Sequence, residues 1–136
     1  MNDGCIFCAI ASGDGPAEII DSDEHTVAFM DINPATRGHS LVIPRAHSAD
    51  LMEISDEDLE RTTLAARRLA RKIQAVLRPD GINVINACGA AAWQTVFHFH
   101  LHVIPRYESD PLKLPWIPSG GDPKQIAAVA GQIRGG

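Results

Sequence analysis

The chain has 136 residues, of which 45% are hydrophobic, and a formal net charge of −5. This composition indicates one globular domain over residues 1–136 and argues against a disordered chain. The negative charge disfavours a nucleic-acid partner, and no apolar run reaches the ~18 residues that a membrane helix needs. The odd number of cysteines, three, argues against a disulfide framework. Because the sequence also shows no signal-peptide pattern, we expect a cytoplasmic protein.

The first third of the chain predicts a short helix followed by three strands. The opening CIFCAIASGD indicates a knuckle and a short helix, which Gly13 and Pro16 end. Residues 18–21 and 26–31 predict a hairpin around the polar turn SDE. Residues 39–44, HSLVIP, predict the third strand.

The longest predicted element is a helix that Ser55 caps, with Asp58 three residues later in a sequence typical of a capping box. Pro79-Asp80-Gly81 ends it. Apolar or small residues recur every three or four positions and predict the buried face; they are Leu59, Thr63, Ala66, Leu69, Ile73 and Val76. The basic residues on the other side are interpreted as a solvated face.

The second half predicts two more strands, at residues 82–87 and 97–104, the latter ended by Pro105. Residues 107–136 are rich in proline and glycine and predict an irregular tail that ends in a short helix near residues 123–133. Five strands with one dominant helix between strands three and four predict an α+β fold with a mainly antiparallel sheet.

The stretch HFHLHVI carries half of the six histidines of the chain. On a strand, His98, His100 and His102 would share one face, while Phe99 and its apolar neighbours would pack on the core. Packing alone does not require three histidines opposite an apolar face. Two chemical interpretations follow: the histidines bind a catalytic metal, or one is a nucleophile that its neighbours orient.

HFHLHVI matches the motif of the histidine triad (HIT) family, His-φ-His-φ-His-φ-φ with φ apolar. FMDINPATRGHSLVIPRAH resembles the middle segment of that family, and NACGAAAWQTVFHFH resembles its approach to the triad. The resemblance implies the HIT fold. It also implies a nucleotide hydrolase or transferase that acts at an α-phosphate.

The resemblance also implies roles for individual residues. His100 matches the nucleophile, which forms a nucleotidyl-imidazole that water cleaves, and His102 would contact the phosphate. Thr95 matches a donor to the phosphate or the leaving group, and Asp31 matches the residue that binds the ribose hydroxyls. The remaining matches are the apolar lining around the base and polar positions near the phosphate: Phe7, Ile10, Phe29, Ile32, His39, Asn86 and Gln94.

Cys5 and Cys8 have the spacing of a zinc knuckle, although CxxC also occurs at redox sites, which need a parallel βαβ context that this chain does not offer. A structural zinc needs two more ligands, and His47 and His98 are the candidates. The resemblance implies this same set, so we expect one closed tetrahedral zinc site. A closed site has no open position for water, and no catalytic metal is then expected.

Two positions depart from the family pattern. Cys88 and Trp93 occupy places that often carry glycine, and the loop between them is one residue longer. Glycine there would let the backbone approach the phosphate, so these residues affect the phosphate loop. His25 lies beside acidic residues in a predicted turn and receives no role.

The leading functional hypothesis is a hydrolase of purine nucleoside 5′-phosphoramidates or related AMP or GMP conjugates. The CxxC and the chain length resemble the Hint-like branch of the family, which implies a homodimer whose sheets join edge to edge. The alternatives are a dinucleoside polyphosphate hydrolase, a non-catalytic nucleotide-binding regulatory protein, and a metallohydrolase that uses all three triad histidines on zinc.

Overall fold

The computed structural model describes residues 4–136. Its elements in chain order are α1 (Ile6–Ser12), β1 (Ile19–Ser22), β2 (Thr26–Met30), β3 (Ser40–Pro44), α2 (Asp56–Leu77), β4 (Gly81–Ile85), β5 (Leu101–Arg106) and α3 (Pro123–Gly135). All strand pairings are antiparallel, in the order β1-β2-β3-β5-β4. The predicted α+β fold with a five-stranded antiparallel sheet is confirmed. Over the described residues, no helix is long and apolar enough to span a membrane.

The alternation of side chains along the strands builds two apolar clusters, one on each face of the sheet. On β2, Ala28 contributes to the cluster under α2, whereas Val27 and Phe29 contribute to the cluster under α1. On β3, Val42 and Leu41 divide in the same way. Helices α1 and α2 therefore cover opposite faces, and the face under α1 carries the site described below.

Helix α2 begins as the sequence predicts, because the Ser55 side chain accepts a hydrogen bond from the Asp58 N–H at 3.1 Å. Its buried residues are Thr62, Ala65, Ala66, Leu69 and Ile73. The prediction that Thr63 and Val76 belong to this face is wrong, since both side chains are exposed. Three of these buried residues, Thr62, Ala65 and Ala66, are small. The buried Thr62 hydroxyl donates to the Asp58 carbonyl at 2.6 Å.

Strand β5 begins at Leu101 and ends at Arg106, so the predicted strand at residues 97–104 is wrong at both ends. Residues 98–100 keep the alternation, with Phe99 in the cluster under α2, but their backbone groups have other partners. The Phe99 N–H donates to Ser48 O at 2.7 Å. The other strand limits lie within two residues of the predicted ones, and the start of β2 and the end of β3 coincide with them.

The turn between β2 and β3 brings Asp31 next to His39. The Asp31 N–H donates to His39 O at 3.1 Å, which closes the turn. Gly38 adopts a φ of 92°, and a Cβ there would lie 2.5 Å from Leu77 Cδ1. Glycine thus suits the left-handed backbone, and any larger residue would also have to displace the end of the Leu77 side chain.

The segment after β5 is irregular up to Asp122, which caps α3 by accepting from the Lys124 N–H at 3.0 Å. The structure confirms a helix at the end of the chain, and it extends two residues beyond the predicted limit. None of the α3 residues is buried.

Candidate functional site

A cavity of about 400 Å³ opens on the face of the sheet under α1. Its volume lies within the range of about 300–1,000 Å³ that small-molecule sites occupy. Its lining includes eight residues that the sequence singles out: Phe7, Ile10, Phe29, Asp31, Ile32, Thr95, His100 and His102. Phe7, Ile10 and Phe29 are buried, and Ile32 is exposed at the mouth.

The ring of His100 is held in one orientation. Its Nδ1 lies 2.8 Å from the backbone carbonyl of His98, and a carbonyl can only accept, so Nδ1 carries the proton of the neutral ring. The Nε2 atom of the neutral ring then has a free lone pair. Phe7 packs edge-on against the ring with centroids 5.1 Å apart. Burial lowers the pKa of His100, which keeps the imidazole neutral at neutral pH.

His39 and His102 form a hydrogen-bonded pair, and their hydrogen bonds show which nitrogen of each ring carries the proton. His39 Nδ1 accepts from the Ala35 N–H at 2.9 Å, so His39 Nε2 carries the proton. That nitrogen lies 2.9 Å from His102 Nδ1 and 3.4 Å from Asp31 Oδ2. Donation to His102 Nδ1 leaves the His102 proton on Nε2, where it can be donated to a ligand.

The charge state of this pair follows from its surroundings. Burial first, and then the neighbouring rings of His100 and His39, lower the pKa of His102 to about 4, against an opposing effect of Asp31. Burial also lowers the pKa of His39, with Asp31 again opposing it. Both rings are therefore neutral at neutral pH.

The four residues predicted to bind zinc come together beside α1. The Cys8 Sγ atom lies 3.3 Å from His47 Nδ1 and 3.5 Å from His98 Nδ1, and Cys5 Sγ lies 3.5 Å from His98 Nδ1. All four potential ligand atoms lie within 4.8 Å of one another. Zinc–sulfur and zinc–nitrogen bonds of about 2.3 and 2.0 Å at tetrahedral angles require sulfur–nitrogen separations of roughly 3.5 Å. The three sulfur–nitrogen separations therefore match those of a tetrahedral zinc ion.

The second nitrogen of His98 supports this fit. His98 Nε2 donates to Pro44 O at 2.8 Å, which leaves the lone pair on Nδ1, the atom that faces both sulfurs. Hydrogen bonding of the distal ring nitrogen to a carbonyl is the usual way in which proteins orient a histidine ligand. Cys5 also caps α1, since its sulfur accepts from the Cys8 N–H at 3.3 Å.

Asn86 and Gln94 do not line the cavity but brace its wall. The Asn86 amide donates to His100 O at 3.1 Å, and its Oδ1 is buried without a partner among the described residues. Gln94 is buried, accepts from the Gly89 N–H at 2.8 Å and donates to Ala49 O at 2.8 Å. Cys88 and Trp93, the two residues that depart from the family pattern, lie on the segment between Asn86 and Gln94. Cys88 is half-buried, and Trp93 is exposed with a left-handed φ of 75°.

Sequence reasoning missed some of the lining. Ile6, Met30, Leu41 and Val96 also face the cavity. Strand alternation could have identified Leu41, because it pairs directly with Phe29 on β2 and shares its face. The hydrogen bond between His39 and His102 has no local signal, since 63 residues separate them.

Comparison with known proteins agrees with this geometry. The model of the HIT domain family matches residues 12–109. Protein hit of Bacillus subtilis is 44% identical over 105 residues, which are 77% of this chain and 72% of that protein. The chain belongs to the HIT family.

Two solved structures add detail about relatives. A Zn-bound histidine triad family protein from Mycobacterium smegmatis is 40% identical, with a TM-score of 0.77, over 97% of this chain and 96% of that one. A histidine triad nucleotide-binding protein from Candida albicans is 29% identical, with a TM-score of 0.84, over 96% of this chain and 95% of that one. The fold and the triad are thus those of the family.

Proposed function

We propose that the protein is a nucleotide hydrolase or transferase that acts at the α-phosphate of purine nucleotide conjugates through a nucleotidyl group on His100. The observation that carries the proposal is the hydrogen bond from His100 Nδ1 to His98 O, which leaves a neutral Nε2 with a free lone pair at a small-molecule cavity. The nucleotide-binding relative from Candida albicans supports the choice of ligand.

The reaction proceeds in two steps. His100 Nε2 attacks the α-phosphorus, the bond from phosphorus to the leaving nitrogen breaks, and that nitrogen takes a proton from solvent and departs as the free amine. Water then attacks the phosphorus, which releases the nucleoside 5′-monophosphate and restores the imidazole. His102 Nε2–H and the Thr95 hydroxyl donate to the phosphate or the leaving group, where negative charge increases in the transition state.

The rest of the cavity binds the nucleoside. Phe7, Ile10 and Phe29 supply an apolar wall that suits a purine ring, with Ile32 closing the mouth. The Asp31 carboxylate accepts from the ribose hydroxyls. Its Oδ1 already accepts from the Asn33 N–H at 2.8 Å, which holds the carboxylate in place.

We further propose that Cys5, Cys8, His47 and His98 bind one structural Zn²⁺, which would cross-link α1 to the segment that precedes β5. The zinc-bound relative from Mycobacterium smegmatis supports this assignment. Four protein ligands fill a tetrahedral shell and leave this ion no open position for water or substrate, so the steps above do not use it. His98 remains a positioning residue, because its carbonyl fixes the tautomer of His100.

We also propose a homodimer. Within residues 4–136, strand β4 pairs with β5 alone and lies at one edge of the sheet, with the Val84 and Ile85 side chains exposed. A second copy paired along this edge would cover both side chains and the unpaired backbone groups.

The test is to mix the protein with adenosine 5′-phosphoramidate, quench in mild base and measure the intact mass. An added adenylyl mass that is absent from His100→Ala and present in His25→Ala, a matched change at a histidine outside the cavity, would support the proposal. If AMP is released without a detectable adduct, the second step is faster than the first, and the same variants are then compared by rapid-quench kinetics. Neither adduct nor AMP, with nucleotide still bound, would contradict it and favour a non-catalytic binding protein.

A further inference from the structure

The turn between β2 and β3 carries two residues of the proposed site, Asp31 and His39. Within the turn, the His39 N–H donates to Thr36 O at 3.2 Å, and the Ala35 N–H donates to His39 Nδ1 at 2.9 Å. Residues 32–34, which follow Asp31, are exposed. Because the middle of the turn lies in solvent, packing inside the turn does not by itself fix the position of the Asp31 carboxylate.

One buried hydroxyl ties this turn to β5, the strand that carries the phosphate donor His102. The pairing of the two strands runs over residues 40–42 of β3 and 101–103 of β5, so it stops before β5 ends. Beyond this pairing the turn itself supplies a partner, because Thr36 Oγ1 donates to Pro105 O at 2.6 Å. Both residues are buried, so water competes little for this hydrogen bond.

A second hydrogen bond holds the next residue of the turn. The Tyr107 hydroxyl donates to Arg37 O at 2.8 Å. Tyr107 is itself held in place, because its N–H donates to the Asp110 carboxylate at 2.8 Å, and the Arg106 guanidinium donates to the same carboxylate at 2.8 and 3.0 Å. The hydrogen bond from Tyr107 lies at the exposed surface, so we expect it to contribute less than the buried one from Thr36.

We propose that Thr36 is a positioning residue for nucleotide binding. Its hydrogen bond to Pro105 O sets how far the Asp31 carboxylate lies from the His102 Nε2–H. Under the proposed function these two groups bind the ribose hydroxyls and the phosphate of one ligand, so this inference rests on that function and deepens it. A site binds both ends of a ligand well only if its supporting residues hold the two partners at the right separation. Without the Thr36 hydroxyl, the buried Pro105 O loses its donor, and the Asp31 carboxylate loses its fixed position.

The experiment measures the equilibrium Kd of adenosine 5′-monophosphate and of its 2′,3′-dideoxy analogue by isothermal titration calorimetry. The ratio of the two Kd values reports the ribose hydroxyls alone, because the base and the phosphate are the same. In the wild type we expect the analogue to bind about tenfold more weakly, the effect of a hydrogen bond to a charged group. In Thr36→Val we expect this ratio to fall by about threefold or more, since a misplaced carboxylate gains little from the hydroxyls. A merely structural role would weaken both ligands equally and leave the ratio unchanged.

Thr62→Val is the matched control. Thr62 is also buried, and its hydroxyl also donates to a backbone carbonyl at 2.6 Å, but that carbonyl belongs to Asp58 on α2. This variant should leave the ratio at the wild-type value. Thr36→Ser keeps the hydroxyl and should restore most of the ratio. Tyr107→Phe should lower the ratio by a smaller factor than Thr36→Val, and it replaces Thr36→Val in the comparison if that variant does not fold.

The outcomes separate this inference from the proposed function. A wild-type ratio near tenfold that neither Thr36→Val nor Tyr107→Phe changes would overturn the inference and leave nucleotide binding intact. Equal Kd values for the two ligands in the wild type would overturn the ribose role of Asp31 and the inference with it. Absence of binding of either ligand would overturn the proposed function itself. Neither ligand carries a leaving group, so the result does not depend on whether His100 forms an adduct.

Discussion

His98 and His100 are two residues apart, yet their rings present opposite nitrogens to their surroundings. At His98 the carbonyl of Pro44 accepts from Nε2, so Nδ1 faces the two cysteine sulfurs. At His100 the carbonyl of His98 accepts from Nδ1, so Nε2 is left for a ligand in the cavity. One backbone carbonyl per ring thus decides which nitrogen keeps its lone pair, and with it the proposed division of the triad between metal binding and attack on phosphorus.

The neighbours of the two rings reinforce this division. His98 lies among soft ligands, Cys5, Cys8 and His47, at separations that fit tetrahedral zinc. His100 lies against Phe7 and beside His102, with ring centroids 5.1 Å apart in both pairs. If the division is correct, changes at one ring should leave the function of the other largely intact.

The largest expected effect is on turnover. His100→Ala removes the nucleophile, so we expect kcat for adenosine 5′-phosphoramidate to fall on the order of 10³-fold or more. Steady-state kinetics with equilibrium nucleotide binding would measure it. Binding should persist because the apolar wall and Asp31 are unchanged; a fall in kcat below tenfold would contradict the assignment of the nucleophile.

The next effect is on stability. Cys8→Ser removes a ligand from the proposed zinc site, and we expect the free energy of unfolding to fall by about 3–5 kcal/mol together with loss of zinc. Urea unfolding and metal analysis would measure both. Cys88→Ser is the matched control, since Cys88 lies outside the cluster of potential ligands and should retain the metal. Equal stability of the two variants would argue against a structural metal.

The pH dependence of stability tests the environment of His102. Its pKa of about 4 in the folded state lies below the ordinary value of 6.5, so the unfolded chain binds the proton more readily. Its contribution to stability is complete above pH 6.5 and is lost as the pH falls from 6.5 toward 4, by less than the full shift implies because solvent screens the partly exposed ring. Unfolding of the wild type and His102→Asn at pH 7 and pH 5 would measure it.

Subtracting the variant removes the contributions of titrating groups that do not contact His102, whereas His39, His100 and Asp31 face His102 and respond together with it. We expect the wild type to lose more stability than His102→Asn between these two pH values. A wild type that gained stability relative to the variant on acidification would show that His102 is favoured in its charged form.

The smallest effect lies far from both rings. Arg78 caps the C-terminus of α2 with a left-handed φ of 52°, which costs a non-glycine residue conformational energy. We expect Arg78→Gly to raise the free energy of unfolding by about 0.5–1 kcal/mol without changing zinc content or kcat. Arg71→Gly, in the middle of the same helix, should lower it by about 1 kcal/mol. The same sign for both in thermal unfolding would contradict the capping argument.

Local signals in the sequence predicted the elements of the fold, the shared face of the triad and the spacing of Cys5 and Cys8, whereas the family resemblance implied the full zinc ligand set. The Ser55 cap, the alternation around Phe99 and the spacing of Cys5 and Cys8 are all local patterns. The predicted start of β5 was wrong because side chains alternate with a period of two in any extended segment, whether or not its backbone hydrogen-bonds to a neighbouring strand. Here Ser48 O takes the hydrogen bond of Phe99 instead of a neighbouring strand.

Features that depend on distant partners could not be predicted. The tautomers of His98 and His100 follow from carbonyls whose positions only the folded chain defines. The pair of His39 and His102 depends on the register of β3 against β5, in which Leu41 pairs with His102. The buried face of α2 depends on how closely small side chains approach the sheet, which hydrophobicity alone does not encode.

The division of the triad between metal and phosphorus is tested most directly by the zinc content of His98→Asn and His100→Asn, purified in parallel with the wild type. We expect His100→Asn to retain one zinc per chain while losing turnover, and His98→Asn to lose the metal. Loss of zinc from His100→Asn would contradict the division, because it would place His100 among the metal ligands and favour a metallohydrolase that uses all three histidines.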